Sequence, residues 1–65
     1  MVGKLLFVRS TTPDNYLTKD VRKIRDENRP ILVLSWNSDG FCQCLSGGTV
    51  FCIRVGFLVR QPPRQ

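Results

Sequence analysis

The sequence predicts a mostly β domain, built as a small, partly open barrel of about five short antiparallel strands with a long first loop. Three observations lead to this prediction. Short apolar or alternating segments recur along the chain, and residues that favour tight turns separate them. The chain has 65 residues, enough for one domain only. So few short strands cannot form a sandwich of ordinary size, whereas a barrel hides most of its sheet edges.

The predicted strands follow the chain in order. The first is Leu5–Val8, and the second, residues 31–35, begins with four consecutive apolar residues. Because this run is nearly continuous, we expect both faces of the second strand to be covered. Residues 41–45 and 50–55 alternate between apolar and polar side chains, as strands do. A short last strand is predicted at residues 57–60.

Tight turns are predicted at residues 37–40 and 46–48, where Gly occurs with Asn, Asp or Ser. Arg54 marks one face of the fourth strand as solvent-exposed. Side chains two residues apart share a face of a strand. We therefore expect Phe51, Ile53 and Val55 to face the core.

The long first loop, residues 10–29, allows two interpretations after its turn-forming start at residues 10–15. Leu17, Val21 and Ile24 have the spacing of one helical face, and Thr18 is a suitable N-cap. The stripe is only one residue wide, and isolated helices this short are marginal. A short helix and an irregular excursion are therefore both left open. Pro30 ends the segment, because it disfavours helical geometry at the residue before it.

Five short motifs carry a resemblance to a known group of proteins: GKLLFV (3–8), PILVL (30–34), DGFCQCL (39–45), GTV (48–50) and FL (57–58). Together they resemble the small SH3-like β-barrel proteins of tailed phages. The resemblance implies an SH3-like barrel and a phage setting. That group has no single shared function, so it assigns no functional residue. The chain departs from the group at Lys4, where Asp is usual, and in its longer and more charged first loop.

Composition and termini predict an intracellular globular protein. Hydrophobic residues make up 42% of the chain and charged residues 23%, both ordinary for a folded domain. The longest apolar run falls far short of the ~20 residues of a transmembrane helix, and the start lacks a signal-peptide pattern. We expect a cytoplasmic location, in the host cell if the protein is phage-encoded. Residues 1–60 are predicted as a single domain, followed by a polar, Pro-containing tail at 61–65.

The chain has three cysteines and no histidine. Reduced thiols are expected, because an odd count without a secretory signal argues against a disulfide framework. Cys42 and Cys44 share one strand face. Cys52 would lie opposite Cys42 across a three-residue hairpin loop, but would face the other way across a two-residue loop. A structural zinc site needs four ligands, so no metal and no cofactor are predicted.

The sequence offers no self-contained catalytic machinery. A Cys or Ser nucleophile normally needs a nearby base, and histidine is absent. Asp26 and Glu27 are adjacent and are expected to be solvated. Gly47 and Gly48 lack the helix and Lys that follow a phosphate-binding loop. We therefore predict that the protein is not an enzyme.

The net charge is +5, and the isoelectric point is about 9.7. A basic protein of this kind favours acidic partners. The predicted function is a non-catalytic protein-interaction module, and the alternative is a small barrel that binds nucleic acid. Membrane insertion is not expected, and the oligomeric state is left open. The candidate partner-binding residues are the basic residues of the long first loop and the two aromatic residues beside the first turn: Lys19, Arg22, Lys23, Arg25, Arg29, Trp36 and Phe41.

Overall fold

The strands of the computed structural model, which describes residues 2–61, form one antiparallel sheet. They are β1 (Leu5–Val8), β2 (Ile31–Trp36), β3 (Phe41–Ser46), β4 (Thr49–Arg54) and β5 (Leu58–Val59). Their order in the sheet is β4-β3-β2-β1-β5. The predicted fold class, a mostly β, partly open small barrel, is confirmed. No helix among residues 2–61 is long and apolar enough to cross a membrane.

The long first loop contains a 3₁₀ helix, η1 (Asp14–Tyr16), and an α-helix, α1 (Lys19–Asp26). The helical interpretation is therefore correct. The Thr18 hydroxyl accepts a hydrogen bond from the N–H of Val21 at 3.4 Å, which is the expected N-cap. The helix ends where Asn28 adopts a left-handed conformation (φ 53°), a common way to terminate a helix.

The core lies between the inner face of the sheet and the apolar stripe of α1. Leu17, Val21 and Ile24 are buried, as their spacing predicts. They pack with residues that point inward from all the strands: Leu6, Val8, Ile31, Val33, Cys42, Cys44, Ile53 and Leu58. Phe51, Val55 and Phe57 are partly buried against this cluster. The predicted core face of the fourth strand is therefore correct.

The prediction that both faces of β2 are covered is wrong. Leu34 is 38% exposed and Trp36 is 55% exposed. The single short helix packs against one face of the sheet, and no other described element covers the opposite face. The strand is also irregular, because its pairing with β3 shifts between Val33 and Ser35. This shift is typical of a β-bulge.

The β3–β4 hairpin has a two-residue loop, one residue shorter than the predicted turn. Ser46 pairs with Thr49, so only Gly47 and Gly48 lie between the strands. Both glycines have positive φ, at 54° and 85°, as the tightest hairpin turns require. The shorter loop resolves the orientation of Cys52, which pairs with Gln43 and is exposed.

The end of the domain differs from the prediction by a few residues. β4 stops at Arg54, because the chain turns into a second 3₁₀ helix, η2 (Val55–Phe57). The Val55 N–H still donates to the carbonyl of Gly40 at 2.8 Å. β5 is consequently limited to Leu58–Val59, shorter than the predicted 57–60. The predicted polar tail, beyond Gln61, lies outside the described residues.

A buried hydroxyl in the long first loop provides a test of this packing. Thr12 is only 3% exposed, and its Oγ1 has no hydrogen-bond partner among residues 2–61. A buried polar atom without a partner destabilises the folded state. We expect Thr12→Val to raise the free energy of unfolding by about 1 kcal/mol, measured by urea denaturation. Thr11→Val, at an exposed neighbouring position, is the control and should change it little. A less stable Thr12→Val variant would contradict this description of the packing.

Candidate functional site

Arg25 differs from the other predicted binding residues because its side chain is used inside the molecule. Only 10% of the side chain is exposed. Its guanidinium contacts the carboxylate of Asp14 at 2.6 Å and that of Asp26 at 2.8 Å. It also donates to the carbonyl of Thr12 at 2.6 Å. The two carboxylates raise the pKa of Arg25. Arg25 therefore joins α1 to the start of the long first loop and acts as a structural residue.

Arg29 is also engaged, although it is more exposed. Its Nε contacts the Glu27 carboxylate at 2.7 Å, with about half of the Arg29 side chain accessible (51%). Its guanidinium also lies close to Gly47 in the β3–β4 turn, where a Cβ added to the glycine would be 3.2 Å from Nη1 of Arg29. An exposed ion pair of this kind contributes little stability. Arg29 is accessible, but its charge is largely balanced by its neighbour.

Lys19, Arg22 and Lys23 form the exposed basic group of the helix. They occupy positions i, i+3 and i+4 of α1, which lie on one side of a helix. All three are exposed, and none forms an ion pair within residues 2–61. The buried Val21 and Ile24 hold the opposite side of α1 against the core. We call Lys19, Arg22 and Lys23 the helix cations.

The acids of the chain are concentrated in the same region. Residues 14–29 contain all five of the loop cations and four of the five acids, a net charge of +1. The rest of the described chain has four cations and one acid, a net charge of +3. The described residues outside the long first loop therefore carry more of the net positive charge than the loop does. The cluster of basic residues in the loop gives the opposite impression, because the four acids that offset their charge are interspersed among them.

Trp36 and Phe41 flank the β2–β3 turn, as predicted, and both line a shallow groove of about 290 Å³. The turn is held by Asn37, whose Oδ1 accepts hydrogen bonds from the N–H groups of Asp39 and Phe41 at 3.0 and 3.2 Å. The guanidinium carbon of Arg54 lies 4.9 Å from the centre of the Phe41 ring. This is a cation–π distance. The groove thus combines two accessible aromatic rings with an adjacent cation.

Sequence reasoning did not identify a row of apolar residues on the uncovered face of the sheet. The register pairs Leu5 with Leu32, Leu32 with Leu45, and Leu45 with Val50. The side chain of each member points to the opposite face of the sheet from the buried residues next to it in the sequence. The alternation along each strand is visible in the sequence, but only the register between strands shows that these four residues are aligned. We call this row the outer apolar row.

The cysteines divide into two buried thiols and one exposed thiol. Cys42 and Cys44 are completely buried, and Cys52 is exposed on the uncovered face. Burial raises the pKa of Cys42, and it raises that of Cys44 to about 11. Because the thiolate is the reactive form, both buried thiols are poor nucleophiles. No group of three or more His, Cys, Asp or Glu side chains in residues 2–61 is arranged to hold a metal ion.

Comparison of the chain with protein-family models, with curated proteins and with solved structures found no match in any of the three.

Replacing Arg25 tests whether it is a structural residue. Arg25→Ala removes the contacts with two carboxylates and one carbonyl. Hydrogen bonds to charged groups stabilise proteins more than neutral ones, and we expect a loss of about 2 kcal/mol in the free energy of unfolding. Arg22→Ala is the matched control on the same helix and should change stability by less than about 0.5 kcal/mol. Equal effects in urea denaturation would contradict the structural role of Arg25.

Thiol alkylation tests the two classes of cysteine. At neutral pH, iodoacetamide should modify the native protein rapidly at Cys52 only. Cys42 and Cys44 should react after unfolding, because burial excludes the reagent and favours the neutral thiol. Mass spectrometry would measure one rapid label per native chain and three in denaturant. Cys52→Ser is the control and should remove the rapid label. The unlabelled mass should also show three reduced thiols and no zinc.

Proposed function

We propose that the protein is a non-catalytic protein-interaction module whose partner presents an acidic surface. The observation that supports this is the exposure of Lys19, Arg22 and Lys23 on one side of a helix that the core holds in place. Cations on a rigid scaffold attract an acidic partner and speed association. They need no backbone rearrangement to become accessible, so the ordering cost of binding is limited to their side chains.

The composition and the thiols support the absence of catalysis. The chain has no histidine to activate a nucleophile. Two of its three thiols are buried, and their pKa values are raised. The third, Cys52, has exposed neighbours on its strand, Arg54 among them, but no imidazole base is available to it. Binding is therefore the simplest use of this surface.

The proposed setting follows from the sequence motifs. Their resemblance to small SH3-like barrel proteins of tailed phages favours a phage-encoded protein that acts in the cytoplasm of its host. The strand order and the small size of the barrel are compatible with that resemblance. Neither the partner nor a functional residue follows from it, because that group has no single shared function.

Nucleic-acid binding is the alternative function, and the aromatic groove is the observation that favours it. Trp36 and Phe41 are both accessible there, and Arg54 lies against the Phe41 ring. Barrels that bind single strands stack bases on exposed aromatic rings beside a basic surface. The two functions differ in their response to salt. Binding that neutralises many phosphates weakens steeply as the salt concentration rises.

Charge reversal of the helix cations tests the proposed function. The probes are fluorescent 14-residue peptides of alternating Glu and Ser and a 14-nucleotide single-stranded DNA, titrated by anisotropy. The double variant Arg22→Glu/Lys23→Glu should weaken peptide binding roughly tenfold, equivalent to ~1.4 kcal/mol. Its melting temperature should change little, because both residues are exposed.

The matched control for this test is Arg9→Glu, compared with the single helix variant Lys23→Glu, because each changes the net charge equally at an exposed position and Arg9 lies outside the helix. It should weaken the Glu/Ser peptide less than the helix variant does. Equal weakening would show that only net charge matters and would exclude the helix cations as a site. Tight DNA binding with a steep salt dependence, and no peptide binding, would favour the alternative function instead.

A further inference from the structure

The accessible apolar residues of this protein lie mainly on its sheet. Seven large hydrophobic residues in the described part of the chain are at least 36% exposed. Two of them, Val2 and Tyr16, lie outside the strands, and the Tyr16 ring packs against Phe57 with centroids 5.4 Å apart. The other five belong to β1, β2, β3 and β4: Leu5, Leu34, Trp36, Phe41 and Val50. An apolar surface of this kind marks an interaction site when its members are contiguous.

The outer apolar row connects two of these five residues, Leu5 and Val50, across the sheet. Leu5, Leu32, Leu45 and Val50 are directly paired across four adjacent strands. Neighbouring strands are about 4.8 Å apart, so the row is about 14 Å long. Leu5 is 61% exposed at one end and Val50 is 54% exposed at the other, while the two central leucines are half-buried. The row therefore offers a partner an apolar strip across the sheet that is most accessible at its ends.

The outward orientation of the row follows from the burial of its neighbours. Leu6, Ile31 and Cys44 precede or follow members of the row, and all three are buried in the core. Because side chains alternate between the two faces of a strand, the row points away from the core.

Cations lie near this face, and one acid, Asp20 of α1, lines a groove of about 370 Å³ beside Val50 and Cys52. Arg54 follows Val50 and Cys52 on the same face of β4 and lies over Phe41. At the other end of the row, Leu5 lines a groove of about 370 Å³ together with Leu6, Lys4 and Arg60. Four of the five acids belong to residues 14–27, and the fifth, Asp39, is in the β2–β3 turn. The strands of the outer face thus carry no acid, and its cations are Lys4 and Arg60 beside Leu5 and Arg54 four residues beyond Val50 on β4.

We infer that this outer face is a docking surface for a protein partner whose contact segment is acidic and carries exposed apolar side chains. The inference rests on the proposed function for the class of partner, but it assigns a surface distinct from the helix cations. Apolar side chains of the partner pack on the outer apolar row, and its carboxylates face Arg54 farther along β4 and Lys4 and Arg60 beside Leu5. A second copy of this chain fits less well, because it would bring the same cations together.

The test compares two peptides of equal charge. One is the 14-residue Glu/Ser peptide used above, and the other replaces every Ser with Leu. The Glu/Leu peptide should bind at least tenfold more tightly, because only its side chains gain from contact with the outer apolar row. The variant Val50→Ser should remove most of this difference while leaving the affinity for the Glu/Ser peptide unchanged. In ¹⁵N-labelled protein, the Glu/Leu peptide should shift the amide signals of Leu5, Leu32, Leu45 and Val50.

Val2→Ser is the matched control, because Val2 is 61% exposed, close to the 54% of Val50, but lies outside the row. It should preserve the tenfold difference, and both variants should keep the melting temperature of the parent protein. Two results would overturn the inference while leaving the proposed function intact. One is a tenfold difference in affinity between the peptides that persists in Val50→Ser, and the other is amide signal shifts confined to α1. Equal, detectable binding of the two peptides would do the same. Failure of both peptides to bind would contradict the proposed function as well as the inference.

Discussion

The structure depends on the packing of one short helix against one face of a small sheet. Leu17, Val21 and Ile24 are the contribution of the long first loop to the core, and the inward-facing residues of the strands form the rest of it. A chain of this length buries a smaller fraction of its surface than a larger domain does. Among the described residues, no second layer covers the opposite face. The same constraint therefore produces both the core and the uncovered outer face.

The charges of the long first loop are partly devoted to holding that packing in place. Arg25 contacts Asp14 and Asp26, and it also binds the backbone of Thr12. A loop of this length would be costly to order without such contacts. Its basic residues are consequently of two kinds, those that stabilise the fold and those, such as Lys19 and Arg22, that remain available to a partner. The two kinds differ in where the side chain lies, because Arg25 contacts the start of the loop and the helix cations are exposed to solvent.

Two surfaces of different chemistry result from this arrangement. The helix cations are a charged surface that attracts an acidic partner over a distance. The outer apolar row contributes contact area, which acts at short range. A partner that used both would associate rapidly through the cations and be retained by the apolar contacts. The small size of the barrel keeps both surfaces on one compact unit, with a radius of gyration of 10.5 Å.

The sequence by itself determined the strands and turns, because alternation, glycine and proline act locally. Leu5–Val8 was predicted with its observed bounds. For the long first loop, the spacing of Val21 and Ile24 indicated a helix but left an irregular loop as the alternative. The sequence also identified the five basic residues of the long first loop, the helix cations among them. Only the tertiary structure decided which of them are engaged, as Arg25 shows, because ion pairs between distant residues depend on the fold. The outer apolar row and the orientation of Cys52 were likewise decided by strand register, since a one-residue change in a hairpin loop reverses every side chain that follows.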